Sequence, residues 1–426
     1  MRVAVIGAGW AGCAAAVEAT RLGYQVTLFE TTRIAGGRAR RVGGTMAGEP
    51  VVLDNGQHIL IGAYAETLRL MKDLGVDTGA TLLRMPLTLQ FPDGDGLKLP
   101  QLPAPLDALA GIMLARGWPL GDKLSMLKVA VGWQLKKFQC APGDSVADLC
   151  RGLAPGAMAA LIEPLCVSAL NTPAQRASGQ VFLRVMRDAL FAESGGSNLL
   201  LPRTDLSALL PDAALAWLSA QGNAPRLGAR VQAIAPAGSG WVVSTDTSEA
   251  FDCVVLACPP HEAARLVEGS GVAAGDWLAQ AQELQYEALT TVYAWAPGAR
   301  LELPMLALPA NAAEPAQFVF DRGQLSGPPG LLAFVISAST GDSATLTAQV
   351  LAQAKSQLWH LGLGSMEAVQ TIVEKRATFA CTPGLQRPRA EVAPGLYACG
   401  DYIAGPYPAT LEGAVRSGLE AARHLH

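Results

Sequence analysis

The sequence predicts an α/β fold on three observations. A short apolar run, residues 3–6, passes directly into a glycine-spaced turn, GAGWAG, and an alanine-rich helical segment. A second strand-like run follows and ends on Glu30, the alternation expected of parallel strands joined by a covering helix. At the far end, LYACGDYIAGPYPATLEGAVRSGLEAARHL reads as strand, loop and helix once more.

In the first unit each glycine has its own physical task. Gly7 permits the tight turn, Gly9 lets backbone approach a pyrophosphate, and Gly12 lets helix pack against strand. Trp10 and Ala11 lie in the same turn, where the helix N-terminus offers free N–H groups and a positive dipole end. Glu30, 18 residues after Gly12, is placed to accept hydrogen bonds from an adenosine ribose. The spacing alone is weak; between strand and helix, with an acid ending the next strand, it favours dinucleotide binding over a chance turn. TTRIAGGRAR follows, with Gly36, Gly37, Arg38 and Arg40. Adjacent glycines again allow close approach, and a guanidinium neutralises phosphate; the plainer reading is a surface turn with solvated arginines.

Next comes LDNGQHILIGAY, where Asp54, Asn55, Gln57 and His58 crowd around Gly56 beside an apolar run. Either a structural polar network or a site explains this density. Residues 86–218 read mainly as helices. Two of them, 106–116 and 122–138, are amphipathic, and Trp118, Trp133, Lys123, Lys128, Lys136 and Lys137 suit a helix pair on a membrane surface or a packed lid equally well. A hairpin is expected around Val231 and residues 241–243, an apolar strand at 254–257, helices at 264–285 and 345–361, and strands at 289–295 and 331–337. In the last unit Gly400-Asp401 closes strand 396–399. Asp401 could accept bonds from ribityl hydroxyls, and the helix that begins near Thr410, Leu411 and Glu412 could stabilise an electron-rich ring.

Composition narrows the classes. Of 426 residues 50% are hydrophobic and only 16% charged, with mean hydropathy +0.26, which points to a greasy ligand cavity, a membrane-facing patch or simply abundant alanine. A net charge of −4 without a basic block argues against nucleic acid. Eight cysteines without a C-x-x-C pair suggest reduced thiols in a cytoplasmic protein. The five histidines are scattered, so no metal site is expected. No stretch of about 18 uncharged apolar residues predicts a membrane span.

The two end motifs together resemble the FAD-containing amine oxidase and carotenoid desaturase superfamily, with Glu412, Gly413, Ser417 and Gly418 in matching places. LDNGQHILIGAYAETLRLMKDLGV and EPLCVSALNTPAQRASGQVFLRVMRDAL resemble the hydroxysqualene dehydroxylase family more narrowly. The resemblance runs over essentially the whole chain. It implies a Rossmann-type FAD-binding domain (1–85, 220–268 and 390–426) interleaved with an α+β substrate domain (86–219 and 269–389). It implies FAD held by the residues above together with Asn55, Gly56 and Val231, the last against adenine unless it is plain core. The implied reaction is reductive removal of the hydroxyl of hydroxysqualene, with hydride from reduced flavin N5 to the allylic carbon and an unidentified electron donor. In that reaction His58 would be the first proton-donor candidate, Gln57 would orient the hydroxyl, and Tyr64, Tyr402 and Tyr407 would supply ring density or a phenol donor. The rival readings are a phytoene-type desaturase, an amine oxidase and a non-catalytic prenyl-lipid-binding protein. The expected location is cytoplasmic, with peripheral contact at the inner membrane face left open.

Overall fold

The computed structural model describes residues 1–192, 194–361 and 365–425. Glu193, residues 362–364 and His426, which fall inside the expected domain segments, lie outside them. The first strand β1 (Arg2–Ile6) turns into helix α1 (Trp10–Arg21), which leads to β2 (Gln25–Glu30). Val3, Ala4 and Val5 are fully buried, because β1 is central and covered on both faces. Among the described residues, the sheet runs Arg226–Leu227, β2, β1, Cys253–Leu256, Leu396–Ala398 and Glu391–Ala393. All neighbours are parallel except the last pair. Segments from the two ends of the chain and from its middle therefore share one sheet. The final helix, Leu411–Arg423, crosses α1 at Gly418, where a Cβ would come within 2.1 Å of the Ala11 carbonyl oxygen.

A second, antiparallel sheet has the order Met305–Ala307, Phe318–Asp321, Leu331–Ser337, Tyr286–Trp295 and Glu367–Phe379. Alternation divides its faces. Val319, Phe334 and Ile336 pack with Leu346 and Val350 of the helix Ser343–Gln357, which Asp342 caps. Phe318, Phe320, Val335 and Ser337 point the other way, into a cavity.

Some expectations need correction. The middle block is not only helical: Leu199–Pro202 is a strand between Leu60–Ile61 and Leu82–Met85, and Thr88–Gln90 pairs with Gly96–Lys98. A four-residue apolar run carries no periodicity to separate strand from helix. The helix expected at 264–285 is two, Pro260–Ser270 and Gly275–Gln282, because Gly271 takes φ +75° and ends the first. The amphipathic pair spans Leu106–Leu114 and Leu120–Leu135. Trp133 belongs to the core, edge-on to Phe182 at 6.1 Å between ring centroids, and not to the surface.

Candidate active site

A cavity of about 960 Å³ lies between the carboxyl ends of the parallel strands and the inner face of the antiparallel sheet. Gly7, Gly9, Trp10 and Ala11 form one wall. Gly7 takes φ +112°, and a Cβ there would lie 2.7 Å from the Ala257 carbonyl oxygen. Gly9 is open: the nearest atom to a Cβ would be Gly37 Cα at 3.9 Å. Gly36 N–H donates to the Ala8 carbonyl at 2.8 Å, and Gly36 and Gly37 both take positive φ, so two glycine turns meet and leave bare backbone facing the cavity. The Trp10 indole N–H donates to the Ala39 carbonyl at 3.1 Å and ties the turns together. Glu30 also lines this wall and accepts from the Ala8 N–H at 2.8 Å and from Thr32.

The cavity wall also includes Arg38, Val231, Gly400, Asp401, Thr410 and Leu411. Arg38 donates to Asp401 at 2.5 Å and to the Ala377 carbonyl at 2.6 Å. Burial opposes the guanidinium charge, but the neighbouring Asp401 carboxylate outweighs it and holds the Arg38 pKa above its ordinary value. Tyr402 lines the same wall, 2% exposed, and its hydroxyl has no hydrogen-bond partner among the described residues. A buried unpaired hydroxyl is costly unless a ligand satisfies it.

Four expected cofactor contacts stand off the cavity wall. Gly12 is a packing residue: a Cβ would lie 1.9 Å from the Gly7 carbonyl oxygen. Asn55 donates to the Arg38 carbonyl and to Glu374, at 3.0 and 3.1 Å, and braces the Gly-Gly-Arg turn from behind. Gly56 supplies φ +145°, a bend that turns the next two side chains into the cavity. The fully buried Glu412 carboxylate accepts from the Glu66 and Thr67 N–H groups and from Arg416, so it caps the helix Ala65–Asp73. In sequence it is indistinguishable from a ligand contact, because the backbone N–H groups it serves lie about 346 residues away.

Gln57 and His58 do face the cavity. His58 is half-buried, and desolvation pushes its pKa below the usual 6.5. Its Nδ1 is 3.1 Å from the Gly56 carbonyl, which can only accept, so the neutral ring carries its proton there and Nε2 is left as an acceptor. In this neutral tautomer His58 offers Nε2 as a hydrogen-bond acceptor to the cavity. Gln57 is held by Tyr293 and Arg322, neither marked by any local pattern. Tyr407 donates to Asp188 at 2.8 Å; both line the cavity, and Asp188 was not foreseen. Beyond them the walls turn apolar, with Leu87, Leu89, Leu165, Met186, Phe318 and Phe320.

The glycine cradle, the acid at the end of β2, the half-buried Arg38 paired with buried Asp401, and the unsatisfied Tyr402 hydroxyl fit a dinucleotide bearing phosphates and polyol groups. The model of the flavin-containing amine oxidoreductase family matches residues 10–426. The chain belongs to that family. It is an FAD-dependent oxidoreductase, and FAD is its cofactor. The chain is 29% identical to the hydroxysqualene dehydroxylase of Rhodopseudomonas palustris, over 99% of this chain and 97% of that one. A zeta-carotene desaturase of Synechocystis is 39% identical, but over only 18% of this chain and 15% of that one. An oxidoreductase from Methanosarcina mazei shares the fold with a TM-score of 0.75 at 17% identity, covering 99% and 100% of the two chains.

Proposed function

We propose that this oxidoreductase converts hydroxysqualene to squalene: two electrons and two protons replace the allylic hydroxyl by hydrogen and release water. The observation that carries the reading is one continuous cavity, glycine-rich at one end and walled by aliphatic and phenyl side chains at the other. A long hydrocarbon needs such walls, and the full-length likeness to the Rhodopseudomonas enzyme supports the substrate class. Gly7, Gly9, Glu30, Arg38 and Asp401 would hold FAD, which when bound supplies the reducing pair. Gln57 binds the leaving hydroxyl through its remaining N–H and lone pair, and neutral His58 accepts at Nε2. The apolar walls exclude water that would capture an allylic cation. An outside reductant of still unassigned identity renews the cofactor.

A lipid substrate also accounts for the surface. Leu106, Met113, Leu114, Leu120, Leu124 and Leu135 stand exposed on the helix pair, Leu135 at 80%, among Lys128, Lys136 and Lys137. Among the described residues no helix is long and apolar enough to cross a membrane. The pair lies on an anionic bilayer as a peripheral anchor. Cosedimentation with phosphatidylglycerol vesicles is expected, and replacement of Leu114 and Leu135 by Asn should abolish it; equal binding by both proteins would refute the anchor.

The substrate is tested by mass spectrometry of products from reduced holoprotein given a panel of C30 and C40 isoprenoids. Squalene from hydroxysqualene is expected; oxidation of phytoene with hydroxysqualene untouched would replace this reading with desaturation.

A further inference from the structure

We infer that Arg322 and Tyr293 are positioning residues that fix which way the cavity amide of Gln57 faces. Neither lines the cavity, and both are buried behind it. Tyr293 comes from near the end of Tyr286–Trp295, and Arg322 follows the strand Phe318–Asp321, whereas Gln57 sits on the loop after Glu49–Asp54. The loop is thus clamped to the antiparallel sheet through one side chain.

The clamp has a defined polarity. The Tyr293 hydroxyl donates its single proton to the Asp54 carbonyl at 2.9 Å, which leaves its oxygen to accept from the Asp54 N–H at 3.1 Å and from Gln57 Nε2 at 2.7 Å. Arg322 has donors only, and its Nη1 meets Gln57 Oε1 at 3.1 Å. An inverted amide would set N–H against guanidinium and oxygen against a hydroxyl whose proton is already given. Both partners therefore reject the flipped rotamer, and the cavity meets one N–H and one lone pair in fixed places. Arg322 is held in turn: its Nη2 stands 3.6 Å from the Asp54 carboxylate, whose other oxygen accepts from the Leu206 N–H at 2.8 Å. Groups that bind a reacting hydroxyl act only when their own orientation is locked from behind.

This inference rests on the reading of the cavity as the hydroxysqualene site. A wild-type protein that makes no squalene defeats that reading, and the test below then runs on whichever isoprenoid the wild type converts. Holoproteins carrying Arg322→Met, Gln57→Ala and both are compared for kcat, KM and the change in visible flavin absorbance on substrate binding. Arg322→Met is expected to lower kcat at least tenfold with KM changed less than threefold, and to diminish the absorbance change. The double variant should match Gln57→Ala within twofold, because Arg322 acts through that amide. Tyr293→Phe, which keeps the ring, passes through the same cycle and decides the matter if Arg322→Met does not fold. Wild-type turnover by Gln57→Ala, or a full separate loss from Arg322→Met or Tyr293→Phe in the Gln57→Ala background, would overturn the assignment. So would a substrate-induced spectrum left unchanged.

Discussion

Replacing Asp54 by Asn measures what it costs to hold the polar loop beneath the cavity. Asp54 is 2% exposed, and burial raises its pKa from 3.8 to about 6. Arg322 lowers it only in part, since their charged atoms stand 3.6 Å apart, beyond a good hydrogen bond. The native protein thus binds this proton roughly a hundredfold more tightly than the unfolded chain, worth about 3 kcal/mol. Because the native pKa is the higher one, stability falls as pH climbs from about 4 to about 6, and the whole cost is present above that window. The Asp54→Asn protein keeps the shape and loses the titration. Urea unfolding followed by tryptophan fluorescence, compared between the two proteins, should show their difference moving by about 2 kcal/mol in the variant's favour between pH 4 and pH 7. Other carboxylates titrate in both and cancel. A difference that stays flat across this range would refute the argument that burial dominates at Asp54.

Glu412→Gln should destabilise the protein by about 2 to 4 kcal/mol, because the buried carboxylate serves two backbone N–H groups and Arg416. Flavin content of the folded variant should match the wild type; full stability with lost flavin would restore Glu412 to the cofactor. An NMR titration of His58 should give a value below the ordinary 6.5, and the stability that its neutral form confers should decline as pH falls through 6.5. A value at or above 6.5 would reinstate it as an acid.

The glycine-rich wall of the cavity was legible because its signal is local. Gly7, Gly9, Glu30, Gly36 and Gly37 carry the signal in conformational freedom and spacing, and all reach the cavity. Asp401 was legible for the same reason, as the residue that closes an apolar strand. The polar loop divides in a way that no local pattern contains: Asp54 and Asn55 serve internal networks, whereas Gln57 and His58 face the cavity. The partners of Gln57, Tyr293 on a strand and Arg322 just after one, lie more than 200 residues away, where a Tyr and an Arg look like any others. The lowered pKa of His58 was hidden too, since it depends on burial that only the assembled fold creates.

The most direct test of the central claim is an anaerobic single turnover. Holoprotein with fully reduced flavin is mixed with hydroxysqualene, and reoxidation is followed by visible absorbance while the lipid is extracted and weighed by mass spectrometry. Reoxidation of the flavin with one squalene formed per flavin is the expected result, and squalene itself should leave the flavin reduced. Flavin that stays reduced in the presence of hydroxysqualene, or reoxidises without squalene appearing, would contradict the account.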